Sequence, residues 1–486
     1  MPNRTSLLLL CLGLVSVCAV GALPGVVAQD TGGADGPTVY VGDRSGTLYA
    51  VDAETGEREW VFAEPEASVS SSPVVVDGTV YVGDRSGTLY AVDAETGELV
   101  WSFGEPESDV FSSPTVVDGK VFVGSQEGFD GAVYAVNAET GELVWSFGEP
   151  EEQVASTPTV VRGSVFVGSL DESVYAVNAE TGELVWSFEE PNGSVVSSPG
   201  VVGGTVFFGS LNGSVYAVDT ETGEKDWRVE TNGAVVSSPT VVNGKVYVGS
   251  SAVQDEELGG TLLAVDTETG SGDWRYTQPE AWIRSSATVV EDTVFFGSMD
   301  TNVYAVDATT GERAWTFRTD GEVFSSPTVG NSTVYFGSRD GTVYAVDAET
   351  GEREWGFREP SEVRSSPTVV EDPSGTSTDS RVLLGTLNHH GDSRAGDVLT
   401  RDDLGDIETE GGLGLGFALP PAEDTEAWER LRAEAYGGER KDVVRRDVGG
   451  VEPETRVFWF SVAAGLVALV VGTVVMVRHT GTRNGR

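Results

Sequence analysis

Short apolar runs return in a fixed order along residues 38–370, each bounded by turn residues. Residues 111–147 show one full unit. Residues 114–117 (Pro-Thr-Val-Val) form a β-branched run, and Asp118-Gly119 is a hairpin signal. Val121, Phe122 and Val123 make a second run, and residues 132–136 (Ala-Val-Tyr-Ala-Val) a third. Residues 137–141 (Asn-Ala-Glu-Thr-Gly) then turn the chain into 143–147 (Leu-Val-Trp-Ser-Phe). Val, Tyr, Phe and Thr suit pleated, half-buried surfaces, and no apolar period of 3.6 residues is present. The unit is predicted to be four strands without a helix.

The unit occurs eight times. Its tryptophans are Trp60, Trp101, Trp145, Trp186, Trp227, Trp274, Trp315 and Trp355, spaced 41, 44, 41, 41, 47, 41 and 40 residues apart. A period near 40 is the size of one four-stranded propeller blade. The fold class that follows is all-β, an eight-bladed β-propeller of antiparallel four-stranded blades. In each unit an Asp or Asn opens the last turn and a glycine follows four residues later, as with Asp52 and Gly56. The Asx side chain is expected to bond backbone two residues on, and the glycine to supply a positive φ. The tryptophan, on the outermost strand, is expected to fill the gap between neighbouring blades. A Ser-Ser-Pro signature or near match, from Ser72-Pro73 to Ser366-Pro367, marks each innermost strand. The first repeat lacks it and a surplus one follows the last tryptophan. The late strand is therefore expected to complete the first blade and remove the open edge. Residues 381–386 and 397–400 resemble strands of a decayed ninth repeat.

Composition changes the picture at the ends. Residues 1–28 read as a secretory signal peptide, with Arg4 before an apolar run and Val-Val-Ala at 26–28 as cleavage site. Both cysteines, Cys11 and Cys18, lie there, so the mature chain is expected to carry no thiol chemistry. Residues 371–456 read as the decayed repeat and an acidic stalk. Residues 457–477 are 21 residues without a charge, long enough for a transmembrane helix. Arg478, Arg483 and Arg486 follow, which puts the tail 478–486 in the cytoplasm and the propeller outside, on a single-pass cell-membrane protein.

The formal net charge is −47, and Lys occurs only at 120, 225, 245 and 441. At molar salt the screening length falls to about 3 Å, so such repulsion is quenched. Acids spread over every repeat match the composition of an extreme halophile, and with the layout point to a haloarchaeal cell-surface protein. An acidic surface selected for a cation or a basic partner is the other reading. No basic stripe exists, which argues against a nucleic-acid partner. Repeated Asp and Glu read as turn chemistry, and the ligand spacing of calcium loops is absent. Sequons at Asn192, Asn212 and Asn331 lie in expected loops and are glycosylation candidates.

The repeated Ala-Val-Asp-Ala-Glu-Thr-Gly-Glu-x-x-Trp motif resembles that of the pyrroloquinoline quinone (PQQ)-like propeller family, over residues 38–370 and in eight in-phase copies. The family has two functional branches. Quinoprotein dehydrogenases hold PQQ and calcium in the axial funnel, with an adjacent cysteine pair and, in some members, a Cys-x-x-Cys-His haem site. This sequence has neither, and no catalytic acid stands out from its repeats, although Trp282 could floor a quinone. The resemblance therefore implies the BamB-like, non-enzymatic branch. In that branch a rigid disc offers loops to a protein or other ligand, and no cofactor or metal is resident. A PQQ-dependent dehydrogenase and a surface sensor are the alternatives. The strand order places the lead-ins to the inner strands and the loops between second and third strands on one face. Candidate funnel-mouth residues there are Arg44, Arg85, Arg284, Arg339, Arg364, Phe111 and Phe324. The arginines either form a cationic mouth for an anion or acidic peptide, or pair with acidic neighbours such as Asp43, Asp84 and Asp340. His389-His390 is too small a set for a structural zinc and reads as loop.

Overall fold

Every blade follows from the same alternation of β-branched and aromatic residues. The computed structural model describes residues 36–370, apart from 107–108, 111, 128–129, 232, 255–256 and 359–360, together with the strand Val382–Leu383. The expected signal peptide, stalk, transmembrane segment and cytoplasmic tail, and His389-His390, lie outside these residues. Eight antiparallel sheets are present. In the fourth blade the order from axis to rim is Thr159–Val161, Ser164–Gly168, Val174–Asn178 and Leu184–Phe188. Its second and third strands are buried on both faces, because each lies between neighbouring blades. In all eight blades the register slips by one residue between the third and outer strands, at Ala176/Val177 in this one. The bulge aims the tryptophan into the seam, opposite the alanine.

The ring closes as the surplus Ser-Ser-Pro predicts. Thr368–Val370 pairs with Thr38–Gly42 and becomes the inner strand of the first blade. Val382–Leu383 pairs with the opposite edge of Val369 and Val370, so this part of the decayed repeat joins the closing sheet. No ninth sheet forms among the described residues.

Two sets of polar contacts lock blade to blade. At the outer seam, each Asx turn is tied as expected: Asn178 Oδ1 accepts from the backbone of Glu180 and Thr181, both at 2.9 Å. The following alanine or threonine offers its carbonyl to the indole of the preceding blade. All eight tryptophans donate in this way at 2.8–3.0 Å, ending with Trp355 on Ala53 across the closure. The turn glycine lies flat beneath the indole. A Cβ on Gly182, whose φ is +73°, would stand 2.8 Å from the Trp145 ring. Glycine is thus required twice, for its dihedral and for the space.

At the hub the Ser-Ser-Pro signature has a role that composition did not reveal. The first serine staples its own blade: Ser71 Oγ donates to the Gly83 carbonyl and accepts from the Gly83 N–H, both at 2.8 Å. The second links neighbours. Ser72 N donates to Ser113 Oγ, Ser113 N to Thr157 Oγ1, and so on until Ser366 N donates to Ser72 Oγ. These eight bonds of 2.9–3.2 Å encircle the axis.

Hairpins and Asx turns share one face, since Ala94 N bonds the Gly78 carbonyl, and both Thr38 and Val370 meet the sheet there. The other face is the mouth. We predict that Gly182→Ala lowers stability by about 2 kcal/mol or more, from clash and dihedral strain together, read by denaturant unfolding in high salt. The hairpin glycine of five blades is replaced by Ser332, which holds φ +63°. Ser332→Gly should raise stability by about 1 kcal/mol in the same assay.

Candidate functional site

The mouth is assembled by one backbone rule. In seven of the eight blades, among the described residues, the loop between second and third strands bonds the lead-in that precedes its inner strand. Arg44 N donates to the Glu362 carbonyl, Arg339 N to Glu322 and Met299 N to Trp282, each at 3.0 Å. Side chains at these positions are therefore neighbours although distant in sequence.

Four of the predicted residues gather through this rule with Phe324. Arg284, Arg339 and Arg364 place their guanidiniums 5.6, 5.4 and 5.7 Å from the Phe324 ring centre. A ring face attracts cations, and three converge on this one. Two glutamates hold Arg44, Arg339 and Arg364. Glu362 accepts from Arg339 at 3.1 and 3.2 Å, from Arg364 at 3.1 and 2.8 Å and from Arg44 at 3.1 Å. Glu322 pairs with Arg339. Four arginines thus gather in a chain of net charge −47, and the carboxylates of Asp43 and Asp340 adjoin Arg44 and Arg339 in the same loops. Burial would raise the Glu362 carboxyl, but the hydrogen bonds and charges of Arg339 and Arg364 hold it at about 2. Arg284 is 9% exposed and also stacks on Trp282 at 5.2 Å. Burial, aided by the like charges of Arg364 and Arg339 and opposed by Glu322, brings it down to about 10, so it stays charged at neutral pH.

The neighbouring sector of the mouth is apolar. Leu170, Val196, Leu211, Ala234 and Val236 form one buried cluster against Trp282. Two N–H donors there, Gln153 Nε2 and Trp282 Nε1, are buried without a hydrogen-bond partner. Each such donor costs about 1–3 kcal/mol.

Two expectations need correction. Arg44, Arg339 and Arg364 pair with Glu322 and Glu362 rather than with Asp43 or Asp340. Asp43 is fully buried and accepts from Ser45 N, Thr47 N and Tyr49 OH within its own loop, and Asp84 repeats the pattern. Asp340 accepts from Tyr344 OH and Asp320 N. These aspartates are too far inside their turns to reach outward. Arg85 bonds Asp109 at 3.4 Å rather than joining the cluster, and Phe111 lies outside the described residues. Among the sequons, Asn192 and Asn331 are exposed, whereas Asn212 is half-buried and donates its amide to Tyr216 OH at 2.8 Å. Sequence reasoning missed Glu322, Glu362 and Gln153. Their signal was positional: Glu322 and Glu362 stand two residues before Phe324 and Arg364, and Gln153 holds the matching place in the fourth blade.

Comparison with known proteins fits this architecture. The family model described as outer membrane protein assembly factor BamB matches residues 21–145, 108–200, 171–290 and 258–402. The chain belongs to the BamB family. Among solved structures, BamB from Moraxella catarrhalis is 22% identical over 64% of this chain and 88% of its own, with a TM-score of 0.51. The computationally designed Ika8 protein is 19% identical, over 63% and 94%, at TM-score 0.55. The quinohemoprotein alcohol dehydrogenase ADHIIG from Pseudomonas putida is 19% identical, over 63% and 68%, at 0.51. At these identities the likeness to BamB and to the others is one of fold. No curated protein matches the chain.

For this BamB-family chain the depressed Glu362 carboxyl fixes a pH dependence. Its stabilising effect is complete above the unfolded carboxylate range near 4.5 and fades as pH falls through about 2. Glu362→Gln should lower the Tm by a few degrees at pH 7, with the gap to the unaltered chain closing towards pH 2 in calorimetric scans.

Proposed function

We propose that this BamB-family propeller is a non-enzymatic scaffold on the cell surface, whose mouth face binds an anionic or acidic partner. One observation carries the reading: three guanidiniums converge on Phe324, in a chain otherwise dominated by acids.

The quinoprotein alternative asks for groups that the described residues of the mouth do not offer in suitable form. A quinone-bound calcium needs free carboxylate oxygens, whereas Glu322 and Glu362 are both engaged by arginines. The arginines and Trp282 could face a flat anion, but that donor set does not fit the metal, and the sequence has no adjacent cysteine pair.

Crosslinking with mass spectrometry on native membranes in molar salt tests the reading. The expected result is crosslinks from a partner to the mouth loops, reduced at least about 5-fold in the Arg339→Gln/Arg364→Gln double variant, about 1 kcal/mol of binding. Crosslinks confined to the turn face or rim would sink it, as would quinone absorbance and alcohol-dependent dye reduction on adding PQQ and calcium.

A further inference from the structure

The rim of the disc carries a surface apart from the mouth. Among the described residues seven large apolar side chains are exposed, all on outer strands of the first four blades. Six of them form Leu-Val pairs just before the tryptophan in the second, third and fourth blades. These are Leu99-Val100, Leu143-Val144 and Leu184-Val185, between 38% and 54% exposed. In every other blade the same two positions include a charged residue, as in Lys225-Asp226 and Arg353-Glu354. Each outer strand is the last strand of its sheet among the described residues. Charged side chains blunt such an edge against pairing, and at these positions three consecutive edges go without them.

The sequence beyond the propeller holds a matching pattern. Residues 413–419 read Leu-Gly-Leu-Gly-Phe-Ala-Leu, an alternation that would put every large apolar side chain on one face of an extended strand. Pro420 and Pro421 follow and limit its length. The run sits in a stretch without charge, 411–422, between Glu410 and Glu423. Thirty positions separate Leu413 from Leu383. Extended, they span up to about 100 Å, against roughly 20 Å across a four-stranded blade. We propose that residues 413–419 add as an extra strand to one of the three Leu-Val edges, with Leu413, Leu415, Phe417 and Leu419 covering the exposed pair. Charge selects this occupant over a second copy. Glu98, Glu142 and Glu183 stand exposed immediately before the three leucines, so two rims brought together would set carboxylates against each other. The uncharged segment meets no such opposition, and its tether holds it near the rim at about millimolar effective concentration.

The test uses the full chain in detergent at molar KCl, with Cys11 and Cys18 changed to Ser. Leu415→Cys is combined in turn with Val100→Cys, Val144→Cys, Val185→Cys or Ala314→Cys, the last being the matching exposed position of the seventh blade. A short bismaleimide should join position 415 to one of the three valine positions within one chain, at least about 5-fold more than to position 314. Hydrogen exchange gives a second readout. Phe417→Ser should speed exchange of the outer-strand amides in the linked blade at least about 10-fold, whereas Ala418→Ser, on the other face of the alternation, should change it less than about 2-fold. Thermal unfolding run alongside verifies that each propeller is folded. Equal linkage to position 314, or no linkage at all, would overturn the proposal. So would exchange that Phe417→Ser leaves unchanged or that both variants speed alike. Linkage found only between chains would overturn it in favour of a second copy on the rim.

Discussion

An indole lying on a glycine is the contact on which this molecule depends. Each tryptophan belongs to one blade by its strand and to the next by its hydrogen bond, so no blade has a complete outer seam alone. The contact explains why the turn is so invariant within the chain. The Asx residue fixes the turn, the turn presents the carbonyl, and the glycine leaves room for the ring. A single added methyl group would disturb all three. Inside this girdle a further set of edge-to-face aromatic pairs crosses most seams, such as Phe147 on Tyr175 at 5.7 Å, and the hydroxyl ring closes the hub.

These seams use nearly all of the repeated residues, which frees the mouth to vary. Loop and lead-in positions lie outside the seams and differ from blade to blade: Arg44 and Arg339 in two loops, Leu170 and Leu211 in two others, Glu322 and Glu362 in two lead-ins. A rigid ring holds these unlike side chains in fixed relation, as a binding surface requires. Glu322 and Glu362 hold Arg44, Arg339 and Arg364, so the cluster is charged but ordered.

The fold was legible because its signals are local and repeated. Strand runs, hairpin dipeptides and the tryptophan period each point to the same blade, and the displaced Ser-Ser-Pro gave away the closure. The bulge before each tryptophan was not legible, because it depends on how the turn meets the sheet. Nor was the serine ring, since a hydroxyl bonded across blades leaves no mark different from a polar lead-in. At the mouth, five of the predicted residues do converge, yet the expected partners Asp43 and Asp340 turned out to serve their own loops. Short-range proximity in sequence is a poor guide there. The relevant neighbours are set by a backbone bond between segments, such as that joining Arg44 to Glu362.

The closing blade has a temporal side. Gly42 N is bonded to Ser365 Oγ, 323 positions further along. Loop closure over that span is entropically slow, and the first blade has no inner strand until the last Ser-Ser-Pro arrives. A chain emerging from its N-terminus therefore holds seven nearly complete sheets and one gap, with a bare strand edge exposed, until its final repeat appears. Maturation of the disc is a single late event, and shortening the chain by only its last inner strand would leave an open ring in place of a smaller one.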